Sequence, residues 1–135
     1  MEVSNVKVKM IRNRDGEEEE IICRGNTSIV GEKRIVSFVH DEGENGKTTH
    51  LLKISPNRME WSKKGSSSTS TEFSSGSRVP FVFSTPYGDL EMENHTHSLD
   101  ITGLGEMDME IKIKYSLYQA GGLMGDYNMK IYIEF

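Results

Sequence analysis

Apolar and polar residues alternate most regularly toward the C-terminal end of the chain. Met107, Met109, Ile111, Ile113, Tyr115 and Leu117 are separated by Glu106, Asp108, Glu110, Lys112, Lys114 and Ser116. A period of two sends successive side chains to opposite faces, so this run predicts a long strand with one face on the core and one in water. After the segment QAGGLMGD the alternation resumes, with Tyr127, Met129, Ile131, Ile133 and Phe135 set against Asn128, Lys130, Tyr132 and Glu134. A strand that continues to the last residue is expected to be tied into a sheet. Pairing with a first strand around Val6, Val8 and Met10 would close a barrel and remove the exposed edges.

Turn signals punctuate the chain between these runs: Asp15-Gly16, Val30-Gly31, Asn45-Gly46, Pro56-Asn57, Lys64-Gly65, Ser75-Gly76 and Pro86-Tyr87-Gly88-Asp89. They recur at intervals of roughly ten to fifteen residues, the rhythm of an antiparallel meander, and Asn45-Gly46 has the composition of a type I′ hairpin turn. The intervening segments EIICRGNTSIV, KRIVSFVH, THLLKIS, RMEWSK, VPFVFST and LEMENHTHSLDI have strand composition, and none keeps helical periodicity for three turns. Residues 65–77, GSSSTSTEFSSGS, resemble a linker, but Thr forms strands well and Phe73 needs a core, so a short polar strand is expected there. The acidic run Glu17 to Glu20 is expected to decorate a solvated hairpin tip. The fold class is therefore all-β: a single closed antiparallel up-and-down barrel of about eight to ten strands, with no substantial helix, spanning residues 1–135 as one domain.

Composition narrows the function classes. Leu, Ile, Val and Phe number 31 of 135 residues, enough for a core, and eight Met residues supply flexible filling where branched residues are few. The net charge of -5 offers no basic footprint for phosphates, so no nucleic-acid partner is expected. With no long apolar run and no signal-like N-terminus, the chain reads as cytoplasmic with no membrane association. The single Cys23 suits a reducing compartment and reads as a small buried hydrophobe. The sequons at Asn26 and Asn94 are then chance matches.

Candidate chemistry is sparse. His95 and His97 stand at i and i+2, on one face of an unbroken strand, and make weak candidates for a metal site that would need a third ligand such as His40, His50 or Asp100. Around them the alternation changes phase, from apolar even positions at Leu90 and Met92 to apolar odd positions at Leu99 and Ile101, which predicts a β-bulge between. ENGKTTH, residues 44–50, carries the tail of a phosphate-binding loop but lacks its leading glycine and a following helix. No serine lies in a nucleophile elbow and no catalytic constellation can be assembled, so neither an enzyme nor a cofactor is expected.

The order NRMEW (residues 57–61), Lys64-Gly65, Phe73 with Gly76, TPYG (residues 85–88), Thr96 and KYSL (residues 114–117) resembles the YwiB-like group of small bacterial calycin-type, lipocalin-like β-barrels, a family of unknown function. The similarity runs from about Asn57 onward, and Lys64 departs from it where the family tends to carry arginine. The resemblance implies a closed barrel in the cytoplasm and supplies no catalytic residues.

A barrel of this size is either filled by its own side chains or open enough for one small ligand. In the ligand-binding reading, a small apolar or amphipathic molecule is held by Met107, Met109, Tyr115, Tyr127 and Met129, with Trp61 and Tyr87 near the mouth. In the alternative, those residues fill a ligandless core and an outer face with Ile11, Ile22 or Val39 serves as an interaction surface, with the chain a monomer or homodimer.

Overall fold

The computed structural model describes residues 3–103 and 108–135, with Asn45 described in its backbone alone. Ten antiparallel strands are found there: β1 (Ser4–Arg14), β2 (Glu17–Val30), β3 (Lys33–Asp41), β4 (Lys47–Ser55), β5 (Arg58–Lys64), β6 (Ser68–Phe73), β7 (Arg78–Thr85), β8 (Gly88–Thr102), β9 (Met109–Gln119) and β10 (Gly122–Glu134). They form a closed meander in chain order. β1 completes the ring against β10, from Lys7↔Glu134 to Arg14↔Tyr127, which satisfies the backbone groups of both terminal strands.

The period-two pattern decides which face is buried. On β9 and β10 the odd residues Ile111, Ile113, Ile131 and Ile133 point inward and are at most 1% exposed, while Lys112, Lys114 and Lys130 stand outside. The inward row of β1 runs Val6, Val8, Met10, and that of β4 and β5 includes Leu52, Ile54 and Met59. Interdigitation of these rows fills one half of the barrel with aliphatic side chains. Cys23 packs against this core from β2, and burial raises the pKa of its thiol.

The turns follow local chemistry. Asp15-Gly16 and Ala120-Gly121 take positive φ at both positions, the geometry that matches strand twist in a two-residue hairpin. At Thr85-Pro86-Tyr87-Gly88, the Thr85 hydroxyl accepts from the Tyr87 N–H at 3.2 Å and donates to the Gly88 carbonyl at 2.8 Å. The β3–β4 connection departs from the expected Asn45-Gly46 type I′ turn. It is a longer loop holding a 3-10 turn at Gly43–Asn45, in which Asp41 accepts from the Gly43 N–H at 2.9 Å and Gly46 N–H donates to the Gly43 carbonyl at 3.0 Å.

The barrel wall is uneven in two places. β2 pairs with β1 along Glu17–Thr27 but with β3 only from Gly25 onward, so its first half leaves the neighbouring wall. Gly25 sits at that corner because a side chain there would meet the Ser37 carbonyl oxygen at 2.4 Å. On the other side, β6 and β7 share two rungs, Ser68↔Ser84 and Thr69↔Phe83, before β7 splays away. Asn94 of β8 spans that gap: its fully buried amide donates to Thr71 Oγ1 at 3.3 Å and to the Glu72 carbonyl at 3.1 Å. Its burial also places the Asn94 sequon out of reach of any modifying enzyme.

Candidate functional site

The two irregularities open one half of the barrel while the other half stays filled. The floor of the open half is a chain of inward-facing aromatic rings contributed by six strands. Phe38 stacks on His50 (centroids 4.6 Å apart), His50 on Trp61 (6.0 Å), Trp61 meets Phe73 (6.5 Å), Phe73 meets Tyr115 edge-on (4.9 Å), and Tyr115 stacks on Tyr127 (5.0 Å). Two positions further into the barrel on β5, β9 and β10, Met59, Ile113 and Met129 are fully buried. The rings therefore divide packed core from cavity.

Above them lies a cavity of about 350 Å³, lined on the floor by Trp61, Phe73, Tyr115 and Tyr127. Its wall comes from the splayed β7–β8 hairpin, where the rungs Phe81↔Met92 and Phe83↔Leu90 put four apolar side chains on the inner face. Leu117 and Met124 complete the apolar lining, and Arg12, Arg14, Lys63, Thr69, Thr71 and Gln119 are its polar members. The volume and the mostly apolar lining with a few convergent polar groups fall within the range of small-ligand sites.

A smaller recess of about 80 Å³ adjoins it, sharing Arg12, Trp61, Lys63 and Thr69 and adding Glu19, Glu42, Thr48 and His50. Here the chemistry is polar. Arg12 pairs with Glu19 at 3.1 Å across the β1–β2 rung and lies 5.6 Å from the Tyr127 ring centre. Glu42 accepts from the Thr48 hydroxyl at 2.9 Å. Lys63 Nζ stands 4.8 Å from the Trp61 ring centre, and burial together with the nearby Arg12 charge lowers its pKa. Burial, and then the Lys63 charge, push His50 down to about 4, while burial pushes Tyr115 up to about 12. At neutral pH the recess thus holds a neutral imidazole beside the side chains of Arg12, Lys63, Glu19 and Glu42, and the Tyr115 phenol on the floor of the adjoining cavity is neutral.

Of the residues expected at a ligand site, Trp61, Tyr115 and Tyr127 are brought together here. Met109 and Met129 are not: Met129 is core, and Met109 borders a separate recess at the filled end with Tyr132 and Thr102. Tyr87 is 99% exposed on the hairpin tip beyond Phe83 and Leu90 and lines no part of the cavity. Met107 lies outside the described residues. Arg12, Lys63, Thr69 and the Phe81–Met92 and Phe83–Leu90 rungs were not among the expected site residues. The inward phase of Val6, Val8 and Met10 continues to Arg12 and Arg14, and that of Met59 and Trp61 continues to Lys63, so the signal was a charge standing in an inward row.

The histidine pair lies elsewhere, on the outer surface. The expected bulge is present, with the β8–β9 register shifting between Thr96 and Ser98. It lets Asn94 and Thr96 on one side and Leu99 and Ile101 on the other all face inward. His95 hydrogen-bonds Glu93 and stacks on Tyr118 at 4.2 Å. His97 Nε2 meets Ser116 Oγ at 2.7 Å, and that hydroxyl donates to Asp126 Oδ1 at 2.5 Å. Because the one serine proton goes to Asp126, the histidine is the donor and cannot take that proton as a base. Among the described residues no three His, Cys, Asp or Glu side chains are grouped to hold a metal ion.

No curated protein matches the chain. The crystal structure of the ywiB protein from Bacillus subtilis is similar over 98% of this chain and 89% of that chain, with a TM-score of 0.76 and 24% sequence identity, a likeness of fold. The family model described as "Domain of unknown function (DUF1934)" matches residues 5–131, which takes in both wall irregularities and the whole cavity lining, and the chain belongs to that family.

Proposed function

We propose that the protein binds a small amphipathic molecule in the open half of its barrel. The observation that carries this reading is the cavity of about 350 Å³ floored by aromatic rings, with cationic and hydroxyl groups gathered at one end. An apolar moiety gains about 25 cal/mol for each Å² of apolar area it removes from water against Phe81, Phe83, Leu90 and Met92, and the polar recess orients it. The reading is one of binding, supported by a mostly apolar lining that carries cationic and hydroxyl groups at one end. Native mass spectrometry of gently purified protein, compared with the denatured mass and followed by solvent extraction, tests it. A discrete co-purifying mass is expected. A bare chain that also shows no saturable calorimetric binding of octanol or octanoate would overturn the reading.

A second reading, self-association, is favoured by the edge of β2. Between Glu17 and Arg24 this strand pairs with β1 alone, and Ile22 on it and Val39 on β3 are 55% and 51% exposed, whereas Ile11 is half-buried. Light scattering behind size-exclusion chromatography decides it: a dimer that Ile22→Lys dissociates would support the edge, and a monomer at high micromolar concentration would remove it.

A further inference from the structure

We propose that the ligand is an acid, and that its anionic head group is taken by Lys63 Nζ, His50 Nε2–H and the Thr69 hydroxyl, with Arg12 beside them. This rests on the binding reading above and specifies its chemistry.

The donors of the recess are in surplus. Both acidic side chains there are engaged, Glu19 with Arg12 and Glu42 with Thr48. The donors are not. His50 is 3% exposed, and its Nδ1 accepts from Trp61 Nε1 at 3.1 Å, which leaves the ring proton on Nε2; that atom is buried and has no hydrogen-bond partner among the described residues. Thr69 Oγ1 is likewise buried and unpartnered. Lys63 makes no ion pair within 4.0 Å among the described residues, and its ammonium lies on the Trp61 face at the boundary between recess and cavity.

A buried donor without an acceptor forfeits the hydrogen bond it would make to water, so a group presenting two or three lone-pair oxygens is the complement of this arrangement. A cationic head would bring a further charge against Lys63 and Arg12. A neutral hydroxyl accepts from at most two of the three donors and leaves the Lys63 charge uncompensated. A carboxylate satisfies them and neutralises Lys63, while its apolar body extends over the Trp61 and Phe73 rings toward Phe81 and Phe83.

The test is calorimetric titration of the full chain with octanoate, octanol and octylamine, which share one tail and differ in head group. Octanoate is expected to bind at least about tenfold tighter than octanol, and octylamine weakest. Lys63→Met keeps an unbranched chain without the ammonium and is expected to erase the advantage of octanoate over octanol. Thr69→Val keeps shape and is expected to weaken octanoate roughly three- to fivefold. Equal binding of octanoate and octanol, or tighter binding of octylamine, would overturn the acid proposal and leave the cavity reading standing. Failure of all three to bind would overturn both.

Discussion

Trp61 and His50 are joined by a hydrogen bond from the indole N–H to Nδ1, 3.1 Å long, in the middle of a stack that Phe38 closes on the far side at 4.6 Å. The bond holds the imidazole in one tautomer and the stack excludes water from it. Burial, then the Lys63 charge, bring its pKa from the ordinary 6.5 to about 4. The unfolded chain therefore takes up a proton on His50 at higher pH than the folded one. Its contribution is fully present above about 6.5 and is lost as pH falls from there to about 4, a change of about 3 kcal/mol. Urea midpoints across that window are expected to fall for the wild type more steeply than for His50→Phe, which keeps a ring in the stack without the titration. Equal slopes would mean that His50 does not supply the sensitivity.

Gly25 marks the corner where β2 leaves β3, and the Ser37 carbonyl occupies the space its side chain would need. Gly25→Ala is expected to cost about 2–3 kcal/mol in urea unfolding, because backbone on one strand or the other must move. Gly122→Ala is the matched control: its added carbon would meet the Gln119 carbonyl at an ordinary 3.5 Å, so a change within about 0.5 kcal/mol is expected. A Gly25→Ala protein as stable as the control would show that the corner is not held closely.

The face of nearly every strand was legible because parity is a local property: two apolar residues at i and i+2 announce the inward row, and the slip from Met92 to Leu99 announced the bulge. Depth along the barrel was not legible. Met129 and Tyr127 have the same parity, yet one is packed core and the other cavity floor. That distinction depends on strand stagger and on where β2 and β7 leave their neighbours, which are relations between segments far apart in sequence. Tyr87 shows the same limit from outside. Its turn was legible, but its position past the last lining rung depends on how far the hairpin extends.

Asn94 replaces, with one side chain, the ladder that β6 and β7 do not complete. Asn94→Leu is expected to cost about 2–3 kcal/mol, since Thr71 Oγ1 and the Glu72 carbonyl lose a buried donor. The effect should be local before it is global: amides of Ser70–Phe73 are expected to exchange faster with deuterium, while those of β9 and β10 stay protected. Uniform acceleration over the whole barrel, or none, would argue against the bridging role.

On the outer wall, Ser116 is buried to 2% although it faces away from the core, because His97 from the bulge and Asp126 from β10 close over it. The serine is the shared atom of this tie, so Ser116→Ala separates both partners at once. A loss of about 1–2 kcal/mol is expected, held down by the exposure of Asp126. The same tie occupies His97 Nε2, and His95 is engaged with Glu93 and Tyr118, so a cation taken by either Nε2 would have to displace these contacts. Zinc titrations of the wild type and of His97→Ala are accordingly expected to coincide. Distinctly weaker zinc binding by His97→Ala would show that the metal can draw this histidine off Ser116, and that the bulge serves ligation as well as the change of phase.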